Sequence, residues 1–277
     1  MDKLKVEFLI SAMNQKDFSI VKKSNIKSDA LLINQTDYEE KSEIQMDDCT
    51  LRRISTQERG LSKSRNLAIE NALGDICVIC DDDFFYNEES NGMIEKAYRD
   101  NPEADVVVFA YHSKGQSEKS FFAKKKKLGY LNALRVSSCQ ITFRRKSIKQ
   151  HGIKFNEDFG SGSLLYKSGE EHLFLFECLK KNLAIHFDPS YLLTVDFSGA
   201  STWFNGFDKK FFYDRGAIFT ALSNKYSWLL ILQFAIRKYR LYSSTFTFFQ
   251  AVQEMWKGRN DYLGGGKDGS TNKQCPS

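Results

Sequence analysis

Residues 60–84 read GLSKSRNLAIENALGDICVICDDDF, and this stretch decides the class of the fold. Leu61, Arg65, Ala68, Ile69 and Ala72 recur at helical spacing, which predicts a helix over Ser62–Leu73 with Gly74 as its C-terminal stop. Asp75–Cys80 (DICVIC) is a short apolar run, a buried strand cut off by Asp81, Asp82 and Asp83. The same alternation continues outward. Upstream, Val6–Ser11 and Ala30–Asn34 read as strands, separated by a polar stretch of helical length, Asn14–Asp29, and Leu51–Ile54 reads as a third strand. Downstream, a helix over Ser90–Asn101, closed by Pro102, leads into a strand over Ala104–Tyr111. Strands alternating with helices imply an α/β fold with an open, mostly parallel sheet flanked by helices.

Beyond residue 111 the pattern loosens. Residues 112–130, which hold the run Lys124–Lys127, read as an exposed connection, Arg135–Phe143 as a strand and Phe155–Ser168 as a glycine- and serine-containing loop. Glu170–Lys181 is an amphipathic helix and Leu183–Phe187 a strand. From Trp203 to Arg259 the period is helical, with 16 aromatic residues and nine Lys/Arg against three Asp/Glu. These shifts divide the chain into a main α/β domain over 1–202, a helical appendage over 203–262 and a disordered tail over 263–277.

Composition narrows the classes further. With 42% apolar and 27% charged residues the chain is not globally disordered. Forty basic residues against 35 acidic ones, with no nucleic-acid-binding motif, argue against a nucleic-acid partner. The longest apolar run, Trp228–Ile236, falls far short of the roughly 20 residues of a membrane span, and the N-terminus lacks a secretory pattern. Six scattered cysteines point to a reducing cytoplasm. Cys77 and Cys80 lie on one strand at an odd separation, so they face opposite sides and read as packing residues.

The chemistry gathers where strands end, because open α/β sheets bind ligands outside the carboxyl ends of their strands. Three adjacent aspartates there repel one another, and a divalent cation with hard oxygen ligands, Mn²⁺ or Mg²⁺, is the simplest way to hold them. On an extended backbone Asp81 and Asp83 share a side, which makes them the metal pair and leaves Asp82 pointing away. The alternative is a solvated acidic turn. Gly60–Asn66 opens the clearest helix with free N–H groups, Ser62, Lys63 and Arg65, an arrangement suited to a diphosphate; the alternative is a capped helix with surface cations.

The stretch 60–84 resembles the central block of family-2-type glycosyltransferases with the GT-A fold, a Rossmann-like nucleotide-diphospho-sugar transferase. Those proteins carry a glycine-initiated helix with Arg-Asn, then a strand ending in Asp-x-Asp. Ser11–Gln15 (SAMNQ), Asn34–Asp37 and the pair Phe155–Gly162 and Gly169–Glu171 are similar to further blocks of that family, in the same order. The resemblance covers residues 4 to 200. It implies an inverting, metal-assisted sugar transfer from a nucleotide sugar, a UDP-sugar, to a hydroxyl of a surface polysaccharide or lipid-linked glycan. Carried over, Ser11, Ala12, Asn14, Asn34 and Gln35 would surround the nucleoside. Lys63, Arg65 and Asn66 would lie near the diphosphate, with Asp82 beside the donor. Asp81 and Asp83 would bind the metal, Glu171 would be the general base and Glu170 its partner. The chain departs from the family in lacking the usual aspartates after the second strand, in having Glu171 for the commoner Asp, and in placing Asp196 where relatives often have a His before a Ser-Thr pair. Asp196 is therefore a candidate metal or phosphate ligand. A nucleotidyltransferase and a non-catalytic glycan- or lipid-binding scaffold are the alternatives. The aromatic, basic C-terminal segment reads either as helices that complete the core or as a peripheral membrane surface at the inner face of the membrane.

Overall fold

The structure, a computed structural model, describes residues 4–114, 122–196 and 206–265. By its internal contacts the chain separates into two compact units, residues 1–163 with 170–200, and residues 164–169 with 201–277.

In the larger unit, β1 (Val6–Met13), α1 (Ser19–Lys23) and β2 (Asp29–Gln35) are followed by β3 (Glu40–Met46) and β4 (Cys49–Thr56). The central pair of elements is α2 (Leu61–Asn71) and β5 (Ile76–Asp81), which leads into β6 (Phe84–Tyr86) and α3 (Ser90–Asp100). Next come β7 (Val106–Lys114), β8 (Lys126–Leu128), α4 (Tyr130–Ala133), β9 (Ile141–Arg144) and α5 (Arg145–Gln150), and the unit ends with α6 (Glu170–Lys180) and β10 (Ile185–Asp196). The strands form one sheet in the order β3-β4-β2-β1-β5-β9-β7-β10-β6, with β8 on β10. β4, β2, β1 and β5 run parallel, as do β7 and β10, while β9 is antiparallel to both neighbours. The inner strands are apolar on both faces because helices cover both: Phe8, Ile10, Leu32 and Val78 are fully buried, as are their alternates Leu31, Cys77 and Ile79. Cys77 and Cys80 are core residues, and burial pushes both thiols far above the usual range.

Several elements differ from the sequence expectation, each for a local reason. Within Asn14–Asp29 only Ser19–Lys23 is helical, because Ile20 and Val21 are the residues it can bury. The β3–β4 hairpin was not legible: β3 is an edge strand exposed along most of its length, so it carries no apolar alternation. Helix α2 stops at Asn71 rather than at Gly74. The backbone turns extended at Ala72, and the N–H groups of Leu73 and Gly74 donate to the buried Glu7 carboxylate, which also takes Arg52. Within 135–143, Ser138–Gln140 form a 3-10 turn and the strand begins at Ile141. β10 runs well past Phe187, because register shifts between Asp188 and Leu193 absorb Pro189.

The smaller unit holds α7 (Lys209–Leu222), α8 (Ser227–Tyr242) and α9 (Phe248–Leu263). Asp208 caps α7 by accepting from Phe211 N, and Thr247 with Gln250 forms a capping box on α9. α7 and α9 cross with their backbones in contact. A Cβ on Gly216 would stand 1.8 Å from the Met255 carbonyl oxygen, and one on Gly258 1.9 Å from that of Tyr213, so both positions exclude any side chain. Part of the aromatic content is core: Phe212 is fully buried, with Tyr242 and Phe246 rings at 5.0 and 5.1 Å. Residues 164–169 belong here, with Lys167 N donating to Asp214 and Tyr166 Oη to Asp261. Most of the expected tail, from residue 266 on, lies outside the described residues, as does the Ser201-Thr202 pair. Among the described residues no helix is long and apolar enough to cross a membrane.

Candidate active site

The site lies at the carboxyl ends of β1, β2 and β5, and its centre is a buried arginine. Arg65, on the sheet-facing side of α2, is 1% exposed. Its Nη2 lies 2.9 and 3.0 Å from the two oxygens of Asp81 at the end of β5, and its Nη1 lies 3.1 Å from Glu170 Oε1 at the start of α6. The guanidinium sits over the Phe155 ring at 5.3 Å, and Phe155 stacks on Phe174 of α6. Burial lowers the arginine's hold on its proton, but Asp81 and Glu170 more than offset it.

The carboxylates outnumber this cation. Burial, and then the neighbouring Glu171, push Glu170 up to about 7 against the pull of Arg65. Asp82 and Asp83 form the turn between β5 and β6 and are exposed, yet both are raised, by partial burial first and then by Asp81. Since the strand ends at Asp81, strand alternation does not pair Asp81 with Asp83. Asp81 is spent on Arg65, while Asp82 and Asp83 are the open ones. Asp196 closes β10, and Val195 stands opposite Phe84 in the antiparallel β10–β6 pair, so Asp196 and Asp83 lie one residue beyond the last rung on either side. Glu171 is part-buried, with its Oε1 3.1 Å from His172 Nδ1, while His172 Nε2 lies 3.2 Å from the Leu134 carbonyl oxygen.

Two asparagines expected around the donor pin loops through their carboxamides. Asn34 Oδ1 accepts from Gln15 N at 2.8 Å and its Nδ2 donates to Gln15 O at 3.0 Å, with Ser55 Oγ also in reach. Asn66 grips Phe155 in the same way, at 2.8 and 2.9 Å, and also reaches Glu157. Each carboxamide imitates one rung of a sheet and pins a loop. Gln35 Oε1 accepts from Gly60 N, and Ser11 Oγ accepts from Ser64 Oγ. Asn34, Gln35, Ser11 and Ala12 are buried, so they shape the floor of the site from beneath. Asn14 stays exposed, with a left-handed φ of 53° that suits asparagine, and its N–H donates to Gln35 O.

The start of α2 also differs from the expected open anion site. Leu61 N donates to Ser161 O and Ser62 Oγ to Phe159 O, so the 159–162 loop folds onto this end of the helix. Arg65 faces inward, and of the two expected diphosphate cations only Lys63 is exposed. Helical spacing already placed Arg65 on the apolar face of α2. Its partnership with Glu170, 105 residues away, and the ring of Phe155 beneath it had no signal in the sequence.

Among the described residues no three His, Cys, Asp or Glu side chains converge as metal ligands. The donor set still suits a hard divalent cation, because Asp82 and Asp83 are neighbouring exposed carboxylates, both raised by partial burial first and then by Asp81.

Comparison with known proteins bears on this geometry. Residues 34–163 match the sequence model of glycosyl transferase family 2. No curated protein matches the chain by sequence. Among solved structures, residues 1–349 of S. aureus TarS in complex with UDP-GlcNAc align with a TM-score of 0.62 at 14% identity, covering 95% of this chain and 92% of that one. The same protein in complex with UDP gives 0.59 at 14% identity, with the same coverage. A longer S. aureus TarS structure gives 0.62 at 16% identity, with 96% of this chain covering 50% of that one. The fold is therefore GT-A, and residues 34–163, a little under half of the chain, are similar to the family 2 glycosyltransferases.

Proposed function

We propose that the chain transfers a sugar from a nucleoside-diphosphate sugar, of which a UDP-sugar is the first candidate, to a hydroxyl of a glycan or lipid-linked acceptor, with inversion. The observation that carries this reading is the buried Arg65 joining Asp81, at the strand end beside the open aspartates, to Glu170, beside the base. One cation thereby sets the distance between the side that would hold the donor and the side that would take the proton. The TarS complexes with UDP and UDP-GlcNAc support a nucleotide sugar as the ligand of such a site.

In this reading Glu171 accepts the proton of the acceptor hydroxyl as its oxygen bonds to the anomeric carbon. The bond from that carbon to the diphosphate oxygen breaks on the opposite face, and a nucleoside diphosphate leaves. Asp83 and Asp82, with Asp196 as a further candidate, would hold Mn²⁺ or Mg²⁺ in company with the diphosphate, as such ions are often held by one or two carboxylates plus substrate phosphates. That ion would offset the charge gathering on the leaving group. Lys63 and Asn14 are the exposed polar side chains left to meet the donor. Asp81 and Glu170 orient their neighbours through Arg65. A cytoplasmic site at the inner face of the membrane, where nucleotide sugars and lipid-linked acceptors meet, fits this chemistry.

The test is a panel of nucleotide sugars incubated with the protein and Mn²⁺. Release of nucleoside diphosphate supports the reading. Release of pyrophosphate would mark a nucleotidyltransferase, and absence of metal-dependent turnover or binding across the panel would mark a scaffold.

A further inference from the structure

Helix α8 carries apolar residues on both faces. Ile231, Phe234, Ala235 and Tyr242 form its buried side. On the opposite side, positions 229, 232, 236 and 240 recur at intervals of three and four and so share one outward line. Leu229 is 44% and Ile236 68% exposed, Leu232 is half-buried, and Gln233, Arg237 and Arg240 stand exposed on the same side, with Lys225 exposed in the turn before the helix. An outward helix face in a soluble protein is normally polar. This one leaves Leu229 and Ile236 open to solvent.

The charge around it is one-sided. No Asp or Glu occurs between Asp214 and Glu254, a stretch holding Arg215, Lys225, Arg237, Lys238 and Arg240. The two acids that bound it are already engaged, Asp214 by Lys210 at 2.6 Å and Glu254 by Lys257 at 2.7 Å. Arg237 and Arg240 are in no ion pair among the described residues.

We propose that this outward face of α8 docks on an anionic lipid surface. The apolar line would enter the headgroup boundary while the long arginine and lysine stems carry their charges to lipid phosphates. Charge decides against a second copy of the chain as the occupant. A symmetric contact through this face would set Arg237 and Arg240 against their own counterparts with no acid nearby to meet them. A neutral apolar partner would leave the same cations stranded. The inference stands apart from the transfer chemistry, because it uses none of the residues of the candidate site.

The experiment is co-sedimentation of the full chain with vesicles of phosphatidylcholine alone or mixed with phosphatidylglycerol, at 50 and 300 mM salt. The expected result is binding to the anionic vesicles at low salt that falls at least tenfold at high salt, with little binding to neutral ones. Each cation near the surface contributes about fivefold in affinity, so R237Q/R240Q should bind about thirtyfold more weakly. Ile236→Gln should weaken binding too, and unchanged circular dichroism would show both variants folded. No wild-type binding to anionic vesicles at low salt overturns the proposal. So does binding that both variants leave intact, or a salt-independent self-association that Ile236→Gln abolishes. Donor hydrolysis in the same samples reports on the transfer reading separately.

Discussion

Replacing Glu170 by Gln should stabilise the protein, and by more as the pH rises. Glu170 is buried at the start of α6, beside Glu171, and its carboxyl sits at about 7 against an ordinary 4.5. Between those values the folded state holds a proton that the unfolded chain has released, so wild-type stability falls as pH rises through that window and stays low above it. From these two values, the penalty on the folded state grows by about 2–3 kcal/mol between pH 5 and pH 8. Glutamine reproduces the neutral carboxyl and does not titrate. The gap between Glu170→Gln and wild type should therefore widen by that amount in the variant's favour, or by about 5–10 °C in melting temperature for a chain of this size. Urea unfolding of both proteins at pH 5, 6.5 and 8 measures it. A gap that is flat with pH would mean that Glu170 does not change charge in this range. A gap that moves toward the wild type at high pH would mean that Arg65 outweighs burial, and either result refutes the reasoning.

The site offers further tests. Asp83→Asn should abolish the metal-dependent part of UDP binding; titration with and without Mn²⁺ decides, and an unchanged metal dependence would remove Asp83 from the ligand set. Glu171→Gln should lower turnover by about 10²-fold or more while donor affinity stays nearly intact. Activity that survives in Glu171→Gln and dies in Glu170→Gln would move the base one residue upstream. In the smaller unit, Gly258→Ala sets a methyl 1.9 Å from a backbone oxygen that cannot rotate away, so α7 and α9 must part, at a cost above the usual 1–3 kcal/mol of overpacking. Limited proteolysis should then cleave the C-terminal helices, and a variant as resistant as wild type would contradict the close crossing.

How far the sequence could be read depended on how local the cause was. Strands buried on both faces declare themselves as unbroken apolar runs, so β1, β2, β5 and β7 were legible, and the helical spacing of Leu61, Arg65 and Ala68 revealed α2. The edge strand β3 carries no such signature, because solvent covers it and nothing selects alternating apolar residues. At the site, residue types and chain order pointed to the strand ends where the structure gathers these residues, and to the family whose model residues 34–163 match. The individual roles did not follow, because a carboxamide gripping a loop and a carboxamide facing a ligand look identical in one dimension. Asn34 and Asn66, expected beside the donor, spend their carboxamides on pinning loops. Arg65 was read as a phosphate ligand, and only the fold brings Glu170 to its other side.

The balance of charge at the site constrains the order in which its ligands bind. Asp81, Asp82, Asp83, Glu170 and Glu171 are five acids, and among the described residues the one cation buried with them is Arg65, already engaged at both ends. The excess is felt, since Asp81 raises both Asp82 and Asp83, and Glu171 raises Glu170. A bare nucleoside diphosphate approaching the turn at Asp82 and Asp83 would meet like charge, with Lys63 alone exposed on α2 to offset it. A divalent cation reverses the sign of that encounter, and the diphosphate in turn completes the coordination that two carboxylates leave open. Each ligand should then raise the other's affinity by the same factor, as linkage requires. The protons that Asp82 and Asp83 retain as the pH falls should weaken both together.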